Sequence, residues 1–267
     1  MCDHKYECKI YGMHLQYASR YGHIDCIREL IKNNVIIDLK NTYGNTALMY
    51  ASEYGHIDCI HELINANADI DLKNNRGYTA LIYASENRYK DCVQELINAK
   101  ASVNLQDTRG ETALMKASEN GNKDCVNILI ASGASIDLMS NLNETALMCA
   151  SICGKIECVN ALITSKANVN LHDNSGKTAL MYAIKFNHKN CVYELLANGA
   201  YIYHELIQQY ADKQQIPIEN AYIELKSFVK QWNKKKLNDF MINIFEIADL
   251  TETQINKIRE QYYMTLF

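Results

Sequence analysis

The tripeptide Thr-Ala-Leu recurs at an interval of 33 residues, beginning at Thr46, Thr79, Thr112, Thr145 and Thr178. A strict interval of this length predicts a stack of supersecondary units, because one unit is too small to bury its apolar face without a neighbour. Such a chain builds an elongated solenoid in which each unit contacts only the next. We therefore expect the function to lie on the surface that successive units present together.

Residues 42–74 illustrate what a single unit encodes. The segment opens with the turn signal Tyr-Gly-Asn, and Thr46 then precedes a helical run, where its hydroxyl can accept an unpaired backbone N–H. Gly55 supplies the left-handed conformation that ends this run. In the helix that follows, Cys59 and Leu63 recur at the spacing of one helical face. Each unit is therefore predicted to be a projecting turn followed by two short antiparallel helices.

Six units are predicted, starting near residues 8, 42, 75, 108, 141 and 174, and the array is assigned to residues 1–203. Leucine recurs at one position of each first helix and alanine three residues later, where a small side chain lets adjacent helices approach closely. The first unit lacks the Gly and Thr of the turn, as expected of a unit that caps the array against solvent.

The pattern Gly-x-Thr-Ala-Leu-Met-x-Ala, then Gly-His-x-Asp-Cys-Ile, then Ala-x-Ile-Asp resembles the ankyrin repeat over about three quarters of the chain. The resemblance implies an all-α solenoid of helix–turn–helix units with projecting β-turns. The usual Thr-Pro-Leu-His of the family has Ala in place of Pro throughout this chain. Several positions where the family favours Gly carry other residues, namely Arg88, Lys100, Asn143, Lys166 and Asn187.

Composition and cysteine placement restrict the cellular setting. The net charge is −4, so no overall positive field draws the chain to nucleic acid or to an anionic membrane. The first residues lack the apolar stretch of a signal peptide, and no run is long enough to span a bilayer. Of the 10 cysteines, six recur at one buried position, where Cys acts as a small hydrophobe. We expect a reduced, cytoplasmic protein, with export into a host cell left open. The six are Cys26, Cys59, Cys92, Cys125, Cys158 and Cys191.

The 33-residue interval stops near residue 204, and residues 204–267 are predicted to be helical. Three apolar stripes at helical spacing carry this prediction, followed by a capping box over residues 251–254 that opens a last helix. The segment is either a cap on the last unit or a small module with its own partner. The stripes consist of Leu206, Ile207 and Tyr210, then Ile218, Tyr222, Leu225, Val229 and Trp232, then Leu237, Phe240, Met241, Ile244 and Phe245.

Residues 216–219, Ile-Pro-Ile-Glu, faintly resemble the opening of an F-box, a helical adaptor that recruits a ubiquitin ligase. Asn220 and Ala221 lie where F-boxes usually have leucines. Proline at the start of a helix is ordinary capping chemistry, so an ordinary helix start is the preferred interpretation.

No catalytic pattern is found in the sequence. It has no phosphate-binding Gly-rich loop, no His-Glu-x-x-His and no Gly-x-Ser-x-Gly. Cys149 and Cys153 are one helical turn apart and are expected on the open face, whereas Cys158 should point into the core. Structural zinc needs four converging ligands, so neither a metal nor another cofactor is expected.

Ankyrin proteins bind partners on the concave surface formed by the turn tips and the first helices, so the resemblance implies a binding surface there. Tyrosine gives large, stiff contact area with a polar tip, which suits recognition. Some of these tyrosines are equally expected to pack between units. The candidate partner-binding residues are Tyr17, Tyr21, Tyr43, Tyr50, Glu53, Tyr54, Arg76, Tyr78, Tyr83, Glu86, Arg109, Glu111, Lys116, Glu119, Tyr182 and Phe186.

Two functions remain open on this basis. The first is a monomeric, non-catalytic scaffold that binds a protein or peptide with basic and apolar residues, without contacting nucleic acid or membrane. The alternative is an adaptor or host-directed effector whose C-terminal helices recruit a second partner such as ubiquitin-ligase machinery.

Overall fold

The computed structural model describes residues 13–202 and 204–227. Within those residues the chain contains fourteen α-helices and no strand. The helices are α1 Met13–Tyr21, α2 Ile24–Lys32, α3 Ala47–Tyr54, α4 Ile57–Asn65, α5 Ala80–Glu86, α6 Lys90–Asn98, α7 Ala113–Asn120, α8 Lys123–Ala131, α9 Ala146–Ile152, α10 Ile156–Thr164, α11 Ala179–Lys185, α12 Lys189–Ala197, α13 His204–Gln214 and α14 Ile218–Ser227.

Helices α1 to α12 form six pairs arranged in two layers. The first helix of each pair contacts the first helix of the next, and the second helices form a layer of their own. The core lies between the layers and includes one alanine from every first helix, from Ala18 to Ala183, each at most 2% exposed. The all-helical solenoid predicted from the 33-residue interval is therefore confirmed.

The recurring threonine begins each first helix from the second unit onward. The Thr46 hydroxyl oxygen accepts the Met49 backbone N–H at 3.4 Å, and Thr79, Thr112, Thr145 and Thr178 make the equivalent bond. The predicted caps are therefore present. They fix the point at which each turn passes into a helix, and hence which side chains the turn projects.

The residues that replace glycine adopt the glycine conformation. Arg88, Lys100, Asn143, Lys166 and Asn187 all have φ between 59° and 73°. A left-handed conformation costs a residue with a β-carbon about 1–2 kcal/mol. The packing of the units therefore imposes the backbone path on these positions against local preference.

Side-chain hydrogen bonds join each unit to the next in the loops that follow the second helices. Asp71 accepts the Ser102 backbone N–H at 2.9 Å, and Asn104 accepts that of Ser135 at 2.8 Å. Asp38, Asp137 and Asn170 make the same bond in other units.

The turns are tied to one another by a second series, which we call the turn ladder. The backbone N–H of Thr108 donates to the Arg76 carbonyl at 3.0 Å, and that of Asn141 to the Arg109 carbonyl at 2.9 Å. Asn75 and Asn174 donate in the same way to the turns before them, at 3.1 and 3.0 Å. Each turn is therefore positioned by its neighbour and not only by its own sequence.

Helices α13 and α14 cover the last unit. α13 contacts α11 and α14, and Leu206, Ile207 and Tyr210 are buried, as their stripe predicted. The hydroxyl of Tyr210 donates to a Glu224 carboxylate oxygen at 2.8 Å, and the Tyr193 hydroxyl of α12 lies 3.1 Å from the Tyr210 hydroxyl. The Tyr193 hydroxyl also donates to Glu224. Burial opposes the charged form of Glu224, but the hydrogen bonds from Tyr193 and Tyr210 hold its pKa below the usual value.

The apolar stripe of α14 is described as far as Leu225, and the predicted features beyond residue 227 lie outside the described residues. The domain boundary near residue 203 stays a prediction. No helix among the described residues is long and apolar enough to cross a membrane.

Four serine hydroxyls lie in the core at one register position of the first helices. Those of Ser52, Ser85, Ser118 and Ser151 have no hydrogen-bond partner among the described residues. The equivalent hydroxyl of Ser19 instead donates to the Leu15 carbonyl at 2.7 Å. A buried hydroxyl without a partner loses its hydration without compensation.

The Ser118→Ala substitution is expected to raise the free energy of unfolding by about 1 kcal/mol, because it removes an unpaired buried hydroxyl and improves helix propensity. Urea unfolding followed by circular dichroism measures the effect. Ser19→Ala is the matched control and should be neutral or destabilising, since it breaks an existing bond. Destabilisation by Ser118→Ala would show that this hydroxyl has a partner.

Candidate binding surface

The turns and the first helices build one continuous surface, which we call the turn–helix face. It comprises the turns at residues 41–45, 74–78, 107–111, 140–144 and 173–177 together with the adjoining side of α1, α3, α5, α7, α9 and α11. Fifteen of the sixteen predicted site residues lie on these elements and Phe186 directly follows α11, but the residues differ widely in burial.

One polar side chain shapes each turn. The Asn74 side-chain oxygen accepts the backbone N–H groups of Arg76 and Tyr78, both at 2.9 Å. The Asp107 carboxylate accepts those of Arg109 and Glu111, both at 2.8 Å. Asn41, Ser140 and Asp173 do the same in their own turns. This arrangement satisfies backbone groups that an exposed turn would otherwise leave to water.

Sequence reasoning missed these five residues because their type changes from unit to unit between Asn, Asp and Ser. The signal was nevertheless present, since all three types accept hydrogen bonds from nearby backbone and all five lie 33 residues apart, at positions 41, 74, 107, 140 and 173.

The tyrosines in register on the first helices support these turns. The Asn41 side-chain amide donates to the Tyr50 hydroxyl at 2.8 Å, and that of Asn74 donates to the Tyr83 hydroxyl at 3.0 Å. In the last unit the Tyr182 hydroxyl donates to the Asp173 carboxylate. Burial and this carboxylate raise the pKa of Tyr182 well above its usual value. This row therefore has a structural role in holding the turns.

Lys116 occupies the same register position and is only 2% exposed. Its ammonium nitrogen lies 2.7 Å from a Glu111 carboxylate oxygen and 3.6 Å from one of Glu119. Although burial opposes the charged form, the Glu111 hydrogen bond leaves the pKa of Lys116 above its usual value. Arg109 also contacts Glu111, at 2.5 Å, so this carboxylate is shared by two cations.

Tyr78 was predicted at a turn tip, but it is 1% exposed and therefore buried. Its ring packs edge-on against Tyr83 at 5.0 Å between centroids, and the Arg76 guanidinium lies 4.6 Å from its centroid. Its hydroxyl donates to a Glu86 carboxylate oxygen at 3.2 Å.

Three of the sixteen candidate residues are therefore buried, as was expected for some of the tyrosines, and partner binding by the set stays a prediction. Tyr78, Tyr83 and Lys116 lie beneath the surface because each is packed and hydrogen-bonded within the array. Half-buried positions are occupied by Tyr50, Glu53, Glu86, Glu111 and Tyr182. The exposed members are Tyr17, Tyr21, Tyr43, Tyr54, Arg76, Arg109, Glu119 and Phe186.

A group of exposed aromatic side chains lies at the N-terminal end of the turn–helix face. The rings of Tyr17 and Tyr21 are 4.5 Å apart between centroids. The Arg20 guanidinium lies 5.8 Å from the Tyr21 centroid and 5.2 Å from that of Tyr54 in the next unit. We call Tyr17, Tyr21 and Tyr54 the aromatic cluster.

Carboxylates follow the aromatic cluster along the face. Burial raises the pKa of Glu53, and the positive charge of Arg20 opposes this shift. Burial and the neighbouring carboxylates of Glu111 and Asp173 raise the pKa of Glu144. Electrostatic repulsion among these groups would be relieved by a cation from outside the chain.

One cysteine of the fifth unit lies deeper than the sequence predicted. Cys149 was expected on the open face with Cys153, but it is 8% exposed and buried, and its burial raises its pKa strongly. No group of three or more potential ligands was found in the part of the chain that the structure describes.

Comparison with protein families finds the ankyrin repeat model three times, over residues 2–74, 62–140 and 114–205. The chain belongs to the ankyrin repeat family.

Solved structures agree with this assignment. An ankyrin repeat domain from Acinetobacter baumannii AYE is 31% identical, with a TM-score of 0.64 over 70% of this chain and 98% of that one. A chain from the structure of a predatory endopeptidase of Bdellovibrio bacteriovorus in complex with an immunity protein is 30% identical, with a TM-score of 0.62 over 68% of this chain and 95% of that one. A comparison with curated proteins gave no match.

The ankyrin repeats of this chain supply a template for testing Lys116. Replacing Lys116 with Tyr should change the free energy of unfolding by less than about 1 kcal/mol, since Asp107 can accept the new hydroxyl as Asp173 accepts that of Tyr182. Replacing it with Ala should cost about 2–3 kcal/mol, because a cavity forms and no side chain at this position then supports the turn. Urea unfolding of both variants measures the difference. Equal losses would show that the turn does not use this position.

Proposed function

We propose that the chain is a non-catalytic binding module whose turn–helix face holds a segment of another protein. The observation that carries this proposal is the division of that face into two rows. An inner row of Tyr50, Tyr83, Lys116 and Tyr182 fixes the turns, while the aromatic cluster and the turn tips remain exposed. A rigid base beneath exposed aromatic side chains favours binding, because little conformational entropy is lost on contact.

Ankyrin repeats generally mediate protein–protein interaction, and membership of the family supports the same proposal. The Bdellovibrio chain comes from a structure of two proteins in complex. A partner that is bound and not chemically changed also fits the inner row, whose polar groups hold the turns.

The aromatic cluster is proposed as the anchor of the partner. Tyr17, Tyr21 and Tyr54 are 52%, 51% and 37% exposed, so they offer large apolar area without contributing much to the core. Tyr43 at the tip of the second turn is 71% exposed and extends the same end of the face.

The partner is proposed to carry basic and apolar residues. The half-buried or exposed carboxylates of Glu53, Glu86 and Glu119 lie in register on α3, α5 and α7, in the unit of Tyr54 and the two units that follow it. A cation of the partner placed here would offset the cost of burying the charged Glu53 carboxylate, and all three carboxylates would attract it.

The adaptor alternative places a second partner on the C-terminal helices of residues 204–267, of which the structure describes residues 204–227. In the described part, α13 and α14 are engaged against the last unit through Tyr193, Tyr210 and Glu224. A monomeric state and a cytoplasmic location stay predictions.

Replacing Tyr17, Tyr21 and Tyr54 together with Ala is expected to weaken partner binding by about 100-fold, as for loss of aromatic hot-spot residues. The partner is first captured by affinity purification with the full chain and identified by mass spectrometry. It is then titrated with the native chain and with each variant to measure the affinity. The control is Tyr201→Ala, which removes a 59% exposed tyrosine away from the turns. Unchanged affinity in the triple variant, with an intact helical circular-dichroism signal, would rule out the aromatic cluster as the anchor.

Replacing Glu53, Glu86 and Glu119 together with Gln should weaken binding about tenfold and reduce its salt dependence, because three carboxylates no longer attract the partner. The matched control makes the same charge change on the second helices, with Asp58, Asp91 and Asp124 replaced by Asn. Titrations at low and high salt separate the two variants. If both weaken binding equally, only the net charge matters and the proposed partner chemistry is wrong.

A further inference from the structure

The sixth unit leaves uncovered an apolar side chain that every earlier capped unit buries. Met181, the third residue of α11, is only half-buried. The residues at this position in the four preceding units are each 1% exposed, namely Met49, Ile82, Met115 and Met148. In those units the next first helix lies alongside, so the difference arises because no seventh turn and helix pair follows α12.

The turn ladder also ends at the sixth unit. The Leu142 carbonyl accepts the Asn174 backbone N–H from the next turn, but no backbone N–H of the described residues donates to the equivalent Ser175 carbonyl. A β-carbon placed on Gly110 would lie 2.6 Å from Asn141, whereas one on Gly176 has no described neighbour within 4 Å. The last turn therefore offers a backbone acceptor and space where the earlier turns have a neighbour.

A groove of about 790 Å³ lies between this last turn and α13. Its floor is formed by Met181 and Ile184 of α11 and Leu206 of α13. Ile184 and Leu206 are almost fully buried, so the core fixes their positions, and Met181 supplies the accessible apolar surface. The groove therefore exists before any ligand arrives.

The rim of the groove is positively charged. It is lined by Lys177, Lys185 and Lys213, and Asp212 is the one carboxylate among the described residues that line it. None of these lysines forms an ion pair with a carboxylate in the part of the chain that the structure describes. Lys185 instead lies 5.2 Å from the centroid of the Phe186 ring. Carboxylates of a ligand would complement this charge.

We propose that this groove binds an acidic segment of another protein, which extends the turn ladder as a further turn would. One backbone N–H of the segment donates to the Ser175 carbonyl, and an apolar side chain covers Met181. Carboxylates of the segment pair with the rim lysines. Alternate side chains of an extended segment point to opposite sides, so a sequence that alternates apolar and acidic residues meets both the floor and the rim.

The groove is separate from the aromatic cluster. It lies on the sixth unit and α13, whereas the cluster lies on the first and second units. The rim lysines repel the basic segment proposed for the other end of the array, and the carboxylates there repel an acidic one. This inference therefore goes beyond the proposed function, and it holds or fails independently of it.

Peptide binding to the full chain tests the proposal. The probe is a short fluorescein-labelled peptide that alternates Glu with Leu, and fluorescence anisotropy measures its affinity. Replacing the three rim lysines with Gln should weaken binding at least tenfold, because three ion pairs are lost. The matched control makes the same charge change at three exposed lysines outside the groove, Lys32, Lys100 and Lys166. It should leave the affinity within about twofold, since charges this far away are screened.

Methionine methyl signals locate the bound peptide. The full chain is labelled with carbon-13 in its methionine methyl groups and titrated with the same peptide in a nuclear magnetic resonance experiment. The Met181 signal, assigned by its loss in Met181→Leu, should shift on binding. The signals of Met49, Met115 and Met148 should stay in place, because these residues are buried at the same position of other units.

The backbone contact has a test of its own. Methylating the backbone nitrogens of the peptide removes its N–H donors without changing its charge, and we expect binding to weaken about tenfold. Unchanged affinity would show that the segment does not extend the turn ladder.

Four other results would overturn the proposal. The first is the absence of peptide binding, whether a second copy or another part of the chain fills the groove. The second is an equal loss of affinity in both lysine variants, which would leave only net charge as the cause. The third is binding that shifts other methyl signals and not that of Met181. The fourth is loss of peptide binding when the aromatic cluster is replaced with Ala, because that variant should bind the acidic peptide as the native chain does.

Discussion

The structure depends on the hydrogen bonds that hold each turn in place and tie it to the next. A turn of this length cannot bury its own backbone groups, and one side chain per turn, such as Asp107, accepts two of them. The turn ladder then joins successive turns, since the backbone N–H of one turn donates to a tip carbonyl of the turn before it, at Tyr43, Arg76, Arg109 and Leu142. The surface for recognition is therefore preorganised by polar contacts, while the apolar core between the helix layers supplies most of the burial.

The same contacts divide the first helices into structural and exposed side chains. Tyr182 and its acceptor Asp173 are nine residues apart in the sequence. The pattern of the tyrosine's own helix therefore does not reveal that its side chain supports a turn. The pair is visible only when the fold brings position 182 back to position 173. This is why the tyrosines in register, which look alike in sequence, include the buried Tyr83 and the exposed Tyr17.

Sequence reasoning was therefore strong on the fold and partial on the site. The interval of 33 residues predicted the helix pairs, and the Thr46 position predicted the caps, because both depend on local chemistry repeated in every unit. The burial of Tyr78 and Lys116 could not be predicted because it depends on contacts with neighbouring units. The ring of Tyr78, for example, lies 6.0 Å from the Lys116 ammonium of the next unit. The left-handed conformation of Arg88 shows the same rule, since the array imposes a backbone that the residue alone would avoid.

The column of cysteines gives the array an internal set of reporters. One thiol lies at the same register position in each unit; it is buried in the second to sixth units, as predicted, but Cys26 of the first unit is only half-buried. Burial raises the pKa of Cys59 and Cys125 to about 11 and that of Cys92 to about 12. The thiolate is the form that reacts with alkylating reagents, so a buried thiol with a raised pKa reacts mainly when its unit opens to solvent. The rate of modification at each cysteine would thus read out, unit by unit, how far local opening spreads along the solenoid and whether its ends fray before its centre.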